Sequence, residues 1–254
     1  MNVRALVAEA VGTFILITFG SLGVATVIVI TQGEGNPFVA TLIVPFAFGL
    51  GLLAAIAVGG HASGGHFNPA VTLAALFDGR VTWQSAIGYV VAQVVGGLAA
   101  SLGILLVTSA AVVASTVNQP GPTATDPFAI ELHAFSVEVI LTAVFVAVIL
   151  TVTRKLPELA TVIIPLTLVA IHFAGMQISG ASVNPVRSLA PAVVSGTYTS
   201  LWIYLTAPFA GAVIGWAVYR FLTPPDDEVS VEIEDDDFDD DLDELDEDAE
   251  DDDR

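Results

Sequence analysis

Two asparagine–proline pairs are the residues of this sequence whose type and placement first suggest a site. Asn68-Pro69 opens a short apolar segment, residues 69–77, and Asn184-Pro185 opens another, residues 185–195. Asparagine is a favourable helix N-cap, and proline suits the first helical position, where its missing N–H costs nothing. Each pair therefore predicts the start of a short helix whose asparagine amide can also donate hydrogen bonds.

Arg187 and His172 are polar side chains in apolar surroundings near the second pair. A buried arginine is costly and should face a cavity, and we expect His172 to line the same cavity. A metal site is not predicted, because no acid or second histidine has ligand spacing with His172. Ser182 and His172 lack an orienting acid nearby, which argues against an intramembrane hydrolase.

The composition indicates a membrane protein with a separate acidic tail. Hydrophobic residues make up 54% of the 254 residues and charged residues only 13%, whereas a soluble domain has about 25% charged residues. Residues 226–254 hold 20 of the 27 acids and one base, so they carry −19 of the net charge of −20. We predict a membrane domain over 1–225 and a disordered, solvated tail over 226–254.

Other classes of protein are excluded by what the sequence lacks. It has no cysteine, which rules out a disulfide scaffold, a cysteine nucleophile and a thiolate metal site. Its few, scattered bases do not suit nucleic-acid binding. No feature of the sequence calls for a cofactor.

Six apolar stretches have the roughly 20 residues that a transmembrane helix needs. Residues 69–77 and 185–195 are too short to span and would enter the membrane only as half-helices lining a cavity. The sequence thus predicts an all-α membrane protein with six transmembrane helices and two re-entrant half-helices. The six predicted spans are 5–30, 40–60, 83–109, 132–153, 160–178 and 200–222.

The two halves of the chain repeat each other, with repeat 1 at about 1–112 and repeat 2 at about 128–225. Glu9 and Thr13 correspond to Glu138 and Thr142, and the two Asn-Pro pairs also correspond. Three spans per half make the repeats inverted, so the half-helix N-termini should meet near the midplane. Their dipoles and the asparagine amides would make that point electropositive.

The orientation in the membrane follows from the bases. Apart from Arg187, five basic residues flank the spans, and all five fall on one side of a six-span topology. Residues 31–39 and 110–131, on the other side, contain no lysine or arginine. The positive-inside rule then places both termini in the cytoplasm, with the protein in the cell membrane. These bases are Arg4, Arg80, Arg154, Lys155 and Arg220.

Residues 60–72 (GHASGGHFNPAVT) and 182–188 (SVNPVRS) resemble the two signature loops of the aquaporin family. The segment around Glu9 is similar to the family's first helix. The resemblance covers about 1–222 and implies a right-handed bundle with one pore per subunit and a homotetramer. Val186 stands where the family's Asn-Pro-Ala motif has alanine, a position that packs behind the asparagines. The motif positions are Asn68, Pro69 and Ala70, and Asn184, Pro185 and Val186.

The resemblance also assigns an outer constriction, or selectivity filter, to Phe48, His172, Ala181 and Arg187. Phenylalanine, histidine, a small residue and arginine resemble the water-selective pattern. Glycerol-conducting members tend to have glycine in place of the histidine and aspartate where this sequence has Ser188. Leu205, in contrast, stands where many water channels have an aromatic residue.

By the same resemblance, Glu9 and Glu138 accept hydrogen bonds from the two re-entrant loops; a role as proton relays stays open. We therefore expect a passive water channel that excludes protons and ions, and no enzyme. The alternatives are a facilitator for glycerol or another small neutral solute and, in a different class, a secondary transporter. The acidic tail and the single lysine suggest a salt-rich cytoplasm, and hence a halophile.

Overall fold

The structure, a computed structural model, describes residues 2–33 and 36–223, and almost all of them are helical. A π-helical turn, Ile56–Gly60, joins α2 to α3, and a 3-10 turn, Pro157–Leu159, leads into α8. No β-strand occurs among the described residues. The helices are α1 (Val3–Ile30), α2 (Pro37–Ala55), α3 (His61–Ser63), α4 (Pro69–Phe77), α5 (Trp83–Val107), α6 (Ala110–Ser115), α7 (Pro127–Lys155), α8 (Ala160–Ser179), α9 (Pro185–Ser195) and α10 (Leu201–Leu222).

Six helical stretches are long and apolar enough to cross a membrane, as the sequence predicts. They consist of α1, α2 with its extension through α3, α5, α7, α8 with its leading turn, and α10. The two half-helices are α4, with 9 residues, and α9, with 11. Their bounds match the two short apolar segments that follow the Asn-Pro pairs.

The structure differs from the predicted elements in the connection between the repeats. Helix α7 begins at Pro127, five residues before the predicted span, because the Asp126 side chain accepts from the Ala129 N–H and caps it. The short helix α6 lies in a region predicted to be a connection and is capped by Ser109. These caps extend helical structure beyond the membrane-spanning run that hydropathy detects.

Each half-helix packs between helices of both repeats. Helix α1 packs against α2 and α5, and its counterpart α7 packs against α8 and α10. The half-helix α9 of repeat 2 packs on α5 of repeat 1, while α4 of repeat 1 packs on α10 of repeat 2. Each half-helix also packs on a helix of its own repeat, α4 on α5 and α9 on α10, and the loops before α4 and α9 meet in the interior.

Glycines allow the closest helix contacts within each repeat. A Cβ on Gly96 of α5 would overlap the Ala10 carbonyl of α1, and a Cβ on Gly215 of α10 would overlap the Ala143 carbonyl of α7. The helices of each pair thus meet backbone to backbone. This close approach holds α1 and α7 against the interior, where they carry the two buried glutamates.

The predicted acidic tail, residues 226–254, lies outside the described residues.

Candidate functional site

The asparagines of the two Asn-Pro pairs join the two re-entrant loops to each other. Asn68 Oδ1 accepts from the Ala70 N–H at 2.9 Å, and Asn184 Oδ1 accepts from the Val186 N–H at 3.0 Å, so each caps its half-helix. Asn68 Nδ2 donates to the Val183 carbonyl at 2.7 Å, and Asn184 Nδ2 donates to the Phe67 carbonyl at 2.9 Å. Each amide nitrogen has a second hydrogen, and both asparagines line the central cavity.

Glu9 holds the first loop through a fully occupied carboxylate. Its Oε1 accepts from the Ser63 hydroxyl at 2.6 Å and from the His66 N–H at 2.9 Å. Its Oε2 accepts from the Phe67 N–H and from Gln93 Nε2, each at 2.7 Å. A carboxylate has about four acceptor sites, so these donors satisfy a side chain that is 0% exposed.

Glu138 holds the second loop in nearly the same way. Its Oε1 accepts from the Ser179 hydroxyl at 2.7 Å and from the Ser182 N–H at 2.8 Å, and its Oε2 accepts from the Val183 N–H at 2.8 Å. It has no counterpart of the Gln93 bond among these contacts. Sequence comparison of the repeats identifies both glutamates, but nothing in the sequence marks Gln93 as part of the site.

The residue before each motif asparagine has a strained backbone. Phe67 has φ 49° and Val183 has φ 46°, in the left-handed region that non-glycine side chains rarely adopt. Such a conformation persists only where the surroundings determine it. The N–H groups of Phe67 and Val183 are the ones that Glu9 and Glu138 accept from, so the buried carboxylates hold this backbone in place.

Three of the four predicted filter residues contact one another. The Phe48 and His172 rings are stacked, with centroids 4.8 Å apart and an interplanar angle of 16°. The guanidinium carbon of Arg187 lies 4.6 Å from the Phe48 centroid. Ala181 is fully buried with φ 49° and is not among the described residues that line the cavity.

Arg187 is anchored by residues that the sequence does not single out. Its Nη1 donates to the Thr116 carbonyl at 3.0 Å and to Asn118 Oδ1, which also accepts from the Ser188 hydroxyl at 2.8 Å. Its Nε is buried and forms no hydrogen bond within the described part of the chain. Asn118 and Thr116 belong to the connection between the repeats, and no motif or spacing relates that connection to Arg187.

His172 presents a hydrogen-bond acceptor to the cavity that it lines. Its Nδ1 lies 2.9 Å from the Leu168 carbonyl, which can only accept a hydrogen bond. The proton of a neutral imidazole is therefore on Nδ1, and Nε2 is the free acceptor. The preceding helical turn decides this, because it places a carbonyl four residues back beside the ring.

The cavity along these residues is narrow. Its volume is about 20 Å³, little more than the ~10–15 Å³ that one water molecule requires. Apolar side chains such as Leu16, Leu52 and Phe145 form one wall, and Asn68, Asn184 and Arg187 add polar groups. The arrangement has room for about one water molecule at a time and offers it few hydrogen-bonding groups.

Val186, the departure from the expected motif, lies behind the cavity wall. It is buried in a cluster with Ile17, Ala100 and Ala190, and it does not line the cavity. A Cβ on Gly97 would press on the Val186 side chain. The larger residue thus occupies space that the glycine leaves open.

Comparison with known proteins places the whole helical bundle in one family. A family model described as Major intrinsic protein matches residues 1–219. Aquaporin Z of Photorhabdus laumondii is 36% identical over 229 residues, which cover 86% of this chain and 97% of that protein. Glycerol uptake facilitator protein-like 6 of Lactiplantibacillus plantarum is 37% identical over 216 residues, or 83% and 94% of the two chains.

A solved structure has the same fold. The aquaglyceroporin from Plasmodium falciparum superposes with a TM-score of 0.75 at 22% identity, over 85% of this chain and 95% of that chain. The six spans and two half-helices therefore form an aquaporin-like fold in a multi-pass membrane protein. From the match over nearly the full helical bundle, the chain belongs to the major intrinsic protein family, whose members are membrane channels.

Proposed function

We propose that the protein is a passive water channel that excludes protons and ions. The contacts of Phe48 with His172 and Arg187 in the lining of a cavity of about 20 Å³ carry this proposal. A water molecule fits there and can donate to His172 Nε2 while accepting from Arg187. A solute with a carbon backbone would need a wider slot.

Glycerol is the second candidate, because one relative is named as a glycerol uptake facilitator-like protein. Against it stand the two stacked rings of Phe48 and His172 in the cavity lining, together with the small volume of that cavity. We expect glycerol flux to be far below water flux. This low glycerol flux is attributed to the imidazole of His172. Removing the imidazole should therefore raise glycerol flux while water still passes.

Exclusion of protons follows from the half-helices. The N-termini of α4 and α9 meet where Asn68 and Asn184 cross-link the loops, and each brings about half a positive charge. A water molecule there accepts from both amides, so its hydrogens point away from the midplane and the chain of waters is interrupted for proton transfer. Arg187 adds a barrier to cations.

The glutamates serve the loops, in this proposal, and do not relay protons or couple an ion. Glu9 and Glu138 are absent from the described residues that line the cavity. The Glu9 carboxylate accepts four hydrogen bonds and the Glu138 carboxylate accepts three. A secondary transporter would place a carboxylate beside the substrate. Because both carboxylates already bind the loops and do not line the cavity, the arrangement favours a channel over a transporter.

We also propose a homotetramer in the cell membrane, with both termini in the cytoplasm. Large apolar side chains are exposed along one side of α2, among them Phe38, Leu42, Phe46 and Leu50, and suit contact with lipid or a neighbouring subunit. The acidic segment 226–254 would then be cytoplasmic, and its charge fits a salt-rich cytoplasm. Cross-linking in native membranes tests the oligomer.

The decisive experiment is a light-scattering assay on proteoliposomes. An impermeant osmolyte measures water efflux, a glycerol gradient measures reswelling, and a pH gradient measures proton entry. We expect fast shrinkage, slow reswelling and no proton entry above that of empty liposomes. If glycerol flux were similar to water flux, glycerol would replace water as the proposed substrate. A proton leak comparable with water flux would overturn the proposed mechanism of proton exclusion.

A further inference from the structure

His66 lies where the narrow cavity meets a wider one. It lines the narrow cavity with Asn68 and Asn184, and it also lines a cavity of about 350 Å³ that Arg80 borders. Its ring packs edge to face against Tyr89, with centroids 5.2 Å apart. Nδ1 is 3.1 Å from Thr72 Oγ1, and Nε2 forms no hydrogen bond within the described part of the chain. Nε2 is therefore the ring nitrogen that is left to bind a molecule in the cavity, and its protonation state decides whether it donates or accepts.

The hydrogen bonds of Thr72 determine which nitrogen carries the proton. The hydroxyl has one proton and two lone pairs. It lies 3.0 Å from the Asn68 carbonyl, which can only accept, and 3.0 Å from Gln93 Nε2, which can only donate. When the Thr72 hydroxyl donates to the Asn68 carbonyl and accepts from Gln93 Nε2, one of its lone pairs is left for His66. It can fill that site only by accepting from His66 Nδ1–H.

Glu9 fixes the orientation of the Gln93 amide. Gln93 is 0% exposed, and its Nε2 lies 2.7 Å from Glu9 Oε2. A carboxylate oxygen only accepts, so the amide nitrogen and not the amide oxygen must face it. The same nitrogen then donates its second hydrogen to Thr72. The direction of every bond in the series Glu9–Gln93–Thr72–His66 thus follows from the carboxylate.

The opposite direction loses a hydrogen bond. If the Thr72 hydroxyl donated to His66 Nδ1, its oxygen and the Asn68 carbonyl oxygen would face each other at 3.0 Å with no proton between them. Both groups are buried, so the repulsion would be poorly screened. A helical threonine that donates to the carbonyl four residues back is, in contrast, a common arrangement.

We propose that Thr72 and Gln93 are positioning residues that hold His66 with its proton on Nδ1, so that Nε2 presents a hydrogen-bond acceptor to the pore. The assignment of the proton stands on the network alone, while its role in conduction rests on the proposed water channel. Side chains of Asn68, Asn184 and Arg187 offer donors in the same cavity. His66 adds an acceptor on the side of the midplane away from the filter.

The second repeat has no such device. The positions that correspond to His66 and Thr72 are Ser182 and Ser188, whose hydroxyls are 2.6 Å apart. Ser182 also donates to the Asn184 carbonyl, so its hydroxyl is used within the loop. The two halves of the pore therefore differ chemically although their backbones are related by the repeat.

Nitrogen NMR of the full-length protein in lipid bilayers tests the proton assignment directly. Histidines labelled with ¹⁵N are measured in the unaltered protein, and His66→Gln identifies the His66 signals. We expect a protonated Nδ1 and an unprotonated Nε2 at neutral pH. In Thr72→Val the ring loses its acceptor and the proton should move to Nε2, whereas Thr72→Ser keeps the hydroxyl and the original pattern. A protonated Nε2 in the unaltered protein would overturn the proposal.

Water flux tests the role of the acceptor. Thr72→Val should lower single-channel water permeability by about two- to tenfold relative to Thr72→Ser, the effect of losing one ordinary hydrogen bond. Equal permeability of the two variants, with the proton moved in only one, would refute the role in the pore. Failure of the unaltered protein to conduct water would refute the proposed function and leave the NMR result intact.

Discussion

At the scale of single residues, the proposed selectivity for water depends on the stacked rings of Phe48 and His172. We predict that Phe48→Trp with His172→Gly raises glycerol permeability by about tenfold or more, while water still passes, because a change of slot size is worth about 1–3 kcal/mol. The ring of Phe48 already fills the space beside Gly20, so an indole must extend toward the site that the imidazole vacates. Reswelling of proteoliposomes in glycerol measures the effect.

Phe48→Trp alone is the matched control. It keeps the imidazole and should not raise glycerol flux above that of the unaltered protein. If the single and double variants conduct glycerol equally, His172 does not set the width of the pore.

The buried carboxylates allow a graded prediction. Glutamine at either position can turn its amide so that a single backbone N–H faces the NH₂ group. At Glu9 this is the His66 N–H, because the Ser63 hydroxyl can accept instead of donating, and at Glu138 it is the Val183 N–H. An orphaned buried donor costs about 1–3 kcal/mol. We therefore expect Glu9→Gln and Glu138→Gln to lower thermal stability in detergent by similar amounts, and leucine at either position to lower it further.

Water flux per folded channel distinguishes this structural role from a proton relay. In the structural interpretation, folded Glu138→Gln conducts water at a rate that does not change with pH. Loss of transport in a well-assembled Glu138→Gln channel would support the relay instead.

At the scale of elements, the contact between α1 and α5 depends on a glycine that has a control on the same helix. A Cβ at Gly96 would overlap the Ala10 backbone, while a Cβ at Gly103 would meet open space. We predict that Gly96→Ala destabilises the protein by about 1–3 kcal/mol through overpacking, whereas Gly103→Ala is neutral or stabilising by up to about 1 kcal/mol. Thermal unfolding of the two variants in one detergent makes the comparison.

Both substitutions raise helix propensity equally, so only packing distinguishes them. Equal unfolding temperatures would mean that α1 and α5 separate enough to accept a methyl group. The position of Glu9 over the first loop would then not depend on this close approach.

At the scale of the whole molecule, we predict that a protein truncated after Pro225 folds, assembles and conducts water like the full-length protein. Residues 226–254 contain no apolar run long enough to pack, and their charge of −19 disfavours contact with an anionic leaflet. Size-exclusion chromatography and the shrinkage assay test this. Reduced flux in correctly assembled truncated protein would assign the tail a role in opening the pore.

The sequence by itself determined the six spans, the two half-helices and the family, because hydropathy, helix caps and paired motifs are local features. The prediction of an all-α membrane fold is confirmed by the structure and by the family match. Hydropathy alone did not predict α6 or the true start of α7, because both helices begin at side-chain caps outside the apolar runs.

Only the tertiary structure decided how the site is held together. Asn118 and Gln93 are far in sequence from Arg187 and Glu9, and no periodicity relates them, yet folding brings their polar atoms into contact. The proton positions on His172 and His66 also depend on which oxygen lies beside each Nδ1. A hydrogen bond between distant segments exists only once packing has fixed both partners. Local sequence could therefore name the candidate pore residues but not the network that orients them.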